Sequence, residues 1–512
     1  MTPARDELPA PLRGMRLALG ALCLAMANFI VVLDMSIANV SVPHIAGGLA
    51  VSPSQGTWVI TSYAVADAIT VPLTGWLAAR YGSVRWFLLS LVAFGLASML
   101  CGMATSLPML VAFRVVQGLA GGPLMPLSQT LLLRIFPKER AGAGFAIWAM
   151  TTTAAPIFGP LLGGMISDNW SWPWIFFLNL PVVALCAFGA LRLLRPFETR
   201  RSGGAIDRVG LCLLIVWVGA FQVMLDTGRE HDWFESDWIL FLGVVAAIGS
   251  VAFLLWEATR ENPIVDIRIF RHRGFALASL AIWLCFGAFF AQVVLTPLWL
   301  QQVLGFTASD AAHVIAWVGL LAILCSPLAA RLVDKVDLRI LISLAVLWFC
   351  AMSLMRARWT PDADYWTLAM PHLLQGAAMP FVFIGLTTLA LRSVTQHELV
   401  SAAGIMSFVR TLSTAFGAAF ATSAWGDAST RARADIAATL NPGPGWAEAL
   451  SSSGLSQAQM RLQLDRMVEV QAATIGVLQI YTLSAIVFAA CAALIWFSGP
   501  PKRGSAISAT PD

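Results

Sequence analysis

Apolar runs of about twenty residues, long enough for a helix to cross a bilayer, recur along almost the whole of this 512-residue chain. In hydrocarbon every backbone N–H and C=O must find a partner within the protein, so such runs fold as transmembrane helices. They fall at 17–40, 58–79, 86–104, 108–133, 141–166, 174–191, 209–225, 238–256, 275–300, 311–330, 340–355, 365–391, 400–425 and 475–497, about fourteen in all. The fold class expected is therefore an all-α polytopic membrane protein, with the lipid bilayer as its first partner. Only 12% of residues are charged, about half the share found in soluble domains. The net charge of +4 lies between the apolar runs rather than on one basic face, so no nucleic-acid site is read from it.

Orientation follows from where Arg and Lys accumulate, because positive flanks resist translocation. One set of loops carries Arg13, Arg16, Arg80, Arg85, Arg134, Lys138, Arg140, Arg192, Arg195, Arg271, Arg273, Arg331, Lys335, Arg339, Arg392 and Lys502 among others. The alternating set holds only Arg229, Arg356, Arg358, Arg431, Arg433, Arg461 and Arg466. Both termini are then expected in the cytoplasm, and the first run, too long for a signal-peptide core, is expected to stay as a spanning helix. Trp170, Trp172, Trp174, Trp233 and Trp238 gather on the opposite side, as an interfacial belt does.

The chain repeats itself. Arg114-Val-Val-Gln117-Gly118 recurs as His372-Leu-Leu-Gln375-Gly376, and at the same spacing Gly159 falls on Gly417. The stretch from Pro72 through Gly75 to Arg80 recurs from Pro327 to Lys335. Many transporters are built as two related halves around a midplane site. The expected division is a six-helix half at 1–195, a cytoplasmic linker with two inserted helices at 196–258, and a second six-helix half at 259–512 that includes a long outer loop, 426–474. That loop contains a turn run beginning at Asn441. A helix expected after it has Ser456 and Gln459 as a capping box and an apolar stripe of Met460, Leu464, Met467 and Val468, and is read as lying on the membrane or on its own loop.

Ionisable residues inside spans are costly and mark ion or substrate pathways. At 1.5 Å per residue, Asp34 lies about 27 Å from Arg16 and Arg114 about 30 Å from Arg134, so the two stand at nearly one level and are expected to pair, directly or through water. Asp67, at about 20 Å depth, is a second acid candidate one turn from Tyr63, and Arg410 is a candidate cation for it from the other half. Arg114, Gln117, Gly118 and Gly121 share one helix face. Asn39, Tyr63, Gln117, Gln292, Gln375 and Arg410 are the candidate lining of a substrate cavity, and His372 reads as a buried or interfacial histidine. In the fifth run Pro156 and Pro160 interrupt the backbone ladder, while Gly159 and Gly163 allow close helix approach, the composition of a helix that rocks against its neighbour. The eight cysteines all lie within apolar runs without C-x-x-C or His spacing, so neither a metal nor a disulfide framework is expected. No H-E-x-x-H, phosphate-binding Gly loop or nucleophile with a base appears, which speaks against an enzyme and against any cofactor.

These motifs resemble those of the major facilitator superfamily, and specifically its fourteen-helix drug:proton antiporters of the EmrB type. Leu33-Asp34 through Asn39 to Pro43 resembles the first-helix motif, and Gly75 through Arg80 and Gly82 to Arg85 resembles the loop motif between the second and third helices. Arg114-x-x-Gln117-Gly118 resembles the fourth-helix motif, and Gly159-Pro160-x-x-Gly163-Gly164 the antiporter motif. The stretches Trp172 to Pro181, Met224 to Asp226, Asn262 to Asp266 and Arg410 to Leu412 extend the likeness over nearly the whole chain. The resemblance implies the two-halved fold with two inserted linker helices and proton-driven export of hydrophobic or amphipathic drugs across a bacterial inner membrane. It further implies Asp34, Arg114 and Asp67 in proton coupling, Arg80 and Arg85 in a cytoplasmic gate loop, and a periplasmic adaptor and an outer-membrane channel as partners. Two departures stand out: Ala79 occupies the place of the family's loop acid, which the second copy keeps as Asp334, and Asp67 sits where an uncharged residue is expected. An exporter of one dedicated metabolite, lipid or siderophore is the alternative within transport; a channel is disfavoured by the duplicated halves.

Overall fold

The computed structural model describes residues 10–137, 144, 147, 148, 151, 155, 158, 159, 162–167, 169–199, 207–260, 263–333, 335–395, 398–439 and 457–498. Pro156, Pro160, Asp334, Asn262, Ser456 and the turn run at Asn441 lie outside the described residues.

All regular structure among the described residues is helical. The first half contains α1 (Gly14–Gly48), α2 (Trp58–Tyr81), α3 (Ser83–Gly102), α4 (Leu107–Gly121), α5 (Leu124–Ile135) and α6 (Asn179–Leu193). Then come α7 (Arg208–Thr227) and α8 (Asp237–Thr259). The second half contains α9 (Arg273–Gln302), α10 (Ala308–Leu332), α11 (Leu338–Arg356), α12 (Tyr365–Leu391), α13 (Leu399–Thr439) and α14 (Gln457–Ile495). Helices α4 and α5 are one span, broken where Pro123 withholds a backbone N–H. Counted so, twelve helices among the described residues are long and apolar enough to cross a membrane. Helix α2, 24 residues long and interrupted by Asp67, and the described positions of the fifth expected span, which are helical, bring the number to fourteen.

Within the first half, α1 packs on α5 and α6, α2 on α4, and α3 on α4 and α6. The second half repeats the scheme, with α9 on α12, α13 and α14, α10 on α12, and α11 on α12 and α14. Glycines set the closest approaches. A Cβ on Gly118 would come within 2.5 Å of the Tyr63 carbonyl, and one on Gly376, its counterpart, would collide with the Val318 carbonyl. Gly159 and Gly163 bring the fifth span against Ser36 and Ile37 of α1. Between the halves, α2 lies along α13, where Gly75 meets Ser401 and Gly404 faces the Val71 carbonyl. The inserted pair α7 and α8 pack on each other, and α7 touches both α2 and α13, so the insertion leans on the seam between the halves.

One expectation is corrected. The helix following the outer turn run is not a separate element on the membrane: α14 begins at Gln457 and continues unbroken into the last span, while α13 runs on to Thr439. Forty-one residues make α13 about 60 Å long, roughly twice the hydrocarbon thickness. The described parts of 426–474 therefore extend two spans as an antiparallel hairpin, for which the Ala- and Arg-rich stretch is suited because after Gly426 it contains neither Gly nor Pro before Asn441. Arg433 pairs with Asp465 across it at 2.5 Å, and Trp425 Nε1 donates to the Ala473 carbonyl at 2.8 Å.

Candidate functional site

The structure brings Asp34 of α1 and Arg114 of α4 into direct contact inside the first half, both enclosed by protein. Arg114 Nη1 donates to Asp34 Oδ2 at 2.5 Å and to Gln117 Oε1 at 2.8 Å, and its Nε donates to the Val59 carbonyl at 2.9 Å. The other carboxylate oxygen accepts from Gln117 Nε2 at 3.0 Å and from Asn179 Nδ2 at 2.7 Å. Asn179 also donates to Ser98 Oγ at 2.8 Å, and Ser98 to the Phe176 carbonyl at 2.9 Å. The Tyr63 ring covers the guanidinium at 4.2 Å. Residues of five helices, α1, α2, α3, α4 and α6, thus join the cluster around one carboxylate. Its negative charge is matched by a single guanidinium, and removing one partner of such a pair leaves the other uncompensated at a cost of about 3–5 kcal/mol.

The six expected cavity residues do not form one lining. Tyr63 and Gln117 belong to the cluster just described, Gln292 and Gln375 to a cluster in the second half, Arg410 to the seam, and Asn39 is exposed on α1. In the second half Arg356, fully enclosed, donates to Gln292 Oε1 at 2.6 Å and to Gln375 Oε1 at 2.5 Å, and its Nη2 lies 3.1 Å from His372 Nδ1. Gln292 Nε2 donates to Ser353 Oγ at 2.7 Å. The loop count places Arg356 with the sparse set of loop arginines; in the structure it ends α11 and points into the half, where Gln292, His372 and Gln375 supply acceptors that a loop would not. His372 is buried, as expected.

At the seam Arg410 donates to Met125 Sδ and to Ser407 Oγ at 3.3 Å, and it lies over the Trp148 and Phe286 rings at 5.2 and 5.7 Å. Asp67, also buried, interacts electrostatically with Arg410 across the seam. Asp67 and Asp34 therefore face different cations.

The loop after α2 turns at Gly82, whose φ of +93° is a left-handed conformation that glycine adopts without strain. Glu198, after α6, caps the next helix: its carboxylate accepts from the Val84 and Arg85 backbone N–H groups at 3.0 Å each, and a Cβ on Gly82 would collide with it. Arg85 stands 3.9 Å from Glu198, and Arg80 lies over the Trp76 ring at 5.8 Å. In the second half Asp337 caps α11 itself, accepting from the Arg339 backbone at 2.9 Å, while Glu398 joins Arg271 and His272 at 3.1 Å each.

Sequence reading missed Asn179, Ser98, Arg356 and Glu198. A signal for two of them was present: the spacing that carries Gln117 onto Gln375 also carries Asp34 onto Gln292 and Ser98 onto Arg356. Among the described residues no group of three or more His, Cys, Asp or Glu is placed to hold a metal.

Two helical halves, each with a buried polar knot joining several helices, are the architecture of a secondary transporter. The model of the Major Facilitator Superfamily matches residues 24–418. The chain is 41% identical over 496 residues to the multidrug export protein EmrB of Escherichia coli (strain K12), covering 96% of this chain and 97% of that protein. It is 38% identical over 495 residues to the fatty acid resistance protein FarB of Neisseria gonorrhoeae, covering 96% and 98%. Among solved structures, the human organic anion transporter MFSD10 (TETRAN) superposes with a TM-score of 0.57 at 14% identity, over 93% of this chain and 100% of that one, a likeness of fold alone. The chain belongs to the Major Facilitator Superfamily and is a multi-pass membrane protein.

Proposed function

We propose that this protein is a proton-coupled antiporter that exports hydrophobic or amphipathic drugs. The observation that carries the reading is the buried carboxylate of Asp34, held by Arg114 and Gln117 from α4 and by Asn179 from α6. A proton arriving from outside neutralises Asp34, releases Arg114 from its counter-charge and biases the first half towards an inward-open state; loss of the proton to the cytoplasm restores the ion pair. Each charge moved inward by the membrane potential supplies about 2.3 kcal/mol per 100 mV, enough to sustain a substantial gradient of a neutral drug. Identity of 41% and 42% over 496 residues to relatives named as multidrug export proteins supports export as the direction.

In this reading the protein lies in a bacterial inner membrane with both termini cytoplasmic, divided near residues 195 and 258 into two rocking halves and the inserted pair. Gly75, Arg80, Gly82 and Arg85 form the cytoplasmic gate loop, and Gly159 and Gly163 the packing surface on which the fifth span moves against α1. The hairpin of α13 and α14 reaches about 20 Å beyond the hydrocarbon, far enough to meet a periplasmic adaptor of a tripartite pump that ends in an outer-membrane channel.

Drug-driven proton release from everted vesicles tests the assignment. Asp34→Asn, which keeps the shape and one hydrogen-bonding oxygen, is expected to insert normally and to lose coupled efflux, whereas Asp67→Asn retains it. Full coupling in Asp34→Asn together with its loss in Asp67→Asn would move the proton to the seam acid.

A further inference from the structure

The inserted pair carries a buried acid that belongs to neither polar knot. Glu257, on the last turn of α8, has no exposed surface. Its Oε2 accepts from the Val265 backbone N–H at 3.1 Å, and the Ile264 N–H also favours its charge. Its Oε1 has no hydrogen-bond partner. An acid is almost never fully enclosed as a carboxylate unless a cation pairs with it; otherwise it takes up a proton.

No cation answers Glu257 among the described residues. The elements packed on this end of α8 are α7 and the turn at 267–271. Their arginines and that of the same helix end, Arg208, Arg268, Arg271 and Arg260, are all exposed. The charges that act on Glu257 are those of two further carboxylates, Asp207 at the start of α7 and Asp266 before the turn. Asp207 is the acceptor in each of its hydrogen bonds: Oδ1 takes the Val209 and Gly210 backbone N–H groups at 3.1 and 3.0 Å, and Oδ2 takes Trp256 Nε1 at 2.6 Å. A Cβ on Gly210 would collide with Glu257 Oε1 and lie 3.0 Å from Asp207 Oδ2, so the two acids meet over a glycine that leaves them room. Of their four oxygens, Glu257 Oε1 is the one without a donor, and a single proton held by the pair belongs there.

We propose that Glu257, with Asp207, is a proton-binding site separate from Asp34, which fastens the two inserted helices to each other while it holds a proton and releases them when the proton leaves. With the proton gone, two like charges confront each other in an enclosed place, and α7 and α8 part at this end. The other Glu257 oxygen holds the backbone that leads into α9, so the same event loosens the insertion from the second half. Because α7 touches both α2 and α13, the site sets how firmly the insertion bears on the seam. In the proposed orientation this end lies in the cytoplasm, which makes cytoplasmic acidity the signal.

Infrared difference spectra of the purified full-length protein, titrated from about pH 6 to about pH 9, read the carbonyl stretch of a protonated carboxyl group; a chelator is present so that no divalent cation stands in for the proton. The wild type is expected to show at the acid end a band that Glu257→Gln lacks, and to lose it as the pH rises. Asp207→Asn removes the neighbouring charge and is expected to move that loss about one pH unit lower. Hydrogen exchange, corrected for the intrinsic effect of pH, reads the release. Peptides holding the Gly210 and Val265 amides are expected to lose about tenfold of their protection across the titration in the wild type, and less than about twofold in Glu257→Gln. Carboxyl spectra that agree between wild type and Glu257→Gln overturn the proposal, as does wild-type protection that stays constant with pH. Should Glu257→Gln fail to fold, Asp207→Asn decides: a band whose loss it leaves at the same pH overturns the pairing of the two acids. These measurements need neither drug nor gradient, so a failure of coupled efflux would leave the site standing.

Discussion

The two halves share a packing scheme and differ in their buried polar knots. In the first, Asp34 and Arg114 cancel each other's charge and Gln117 and Asn179 complete the carboxylate's hydrogen bonds. In the second, Gln292 replaces the acid, His372 replaces the arginine, and Arg356 brings a cation from α11, where the first half has Ser98. The duplicated frame thus supports two chemistries: a titratable ion pair in one half and a cation among neutral acceptors in the other. Only the first contains a carboxylate, which is why the proposed proton coupling is placed there.

That contrast can be broken by mutation. The largest effect is expected from Asp34→Leu, which strands Arg114 and costs about 3–5 kcal/mol, measured as loss of thermal stability in detergent. Gln292→Leu, at the corresponding position, removes a hydrogen bond to a charged group and is expected to cost about 1.5–3 kcal/mol. Equal losses would mean that the first pair is no more dependent on its charge than the second cluster.

Gly118→Leu and Gly376→Leu probe what the halves have in common. Each forces a side chain against a neighbouring backbone carbonyl, so each is expected to destabilise by about 1–3 kcal/mol, and a large difference between them would show that the packing is less symmetric than the repeat.

The smallest effects are expected at the helix caps. Glu198→Ala, which uncaps α3 from a distant segment, is expected to cost about 0.5–2 kcal/mol, and Asp337→Ala, a local cap on α11, to fall in the same range. In the second half, burial opposes ionisation of Glu398, but the Thr395 backbone N–H and hydroxyl and the neighbouring His272 hold its carboxyl below the usual range. Its contribution is therefore present above the ordinary glutamate pKa and is lost as pH falls through the lowered folded value, so acid titration of stability should show a small extra loss there that Glu398→Gln removes.

Much of the fold was legible because hydrophobic length and internal repetition are properties of the chain itself. Asp34 and Arg114 were legible as a pair because depth follows from residue count at a fixed helical rise. Arg356 was misjudged for the same reason that it matters: one residue before a loop, its side chain turns inward to acceptors on α9 and α12, a direction that counting cannot supply. Asn179 and Glu198 were missed because each acts on a helix far from it in sequence.

By itself the sequence determined the number of spans, the doubling of the frame and the common level of Asp34 and Arg114, because these depend on composition, spacing and rise per residue. Only the tertiary structure decided which charges meet, that Asp34 meets a guanidinium while Arg356 meets no carboxylate among the described residues, and that the described parts of 426–474 prolong two spans. Those outcomes depend on the rotation of each helix about its axis and on its neighbours, which are set when several helices pack together.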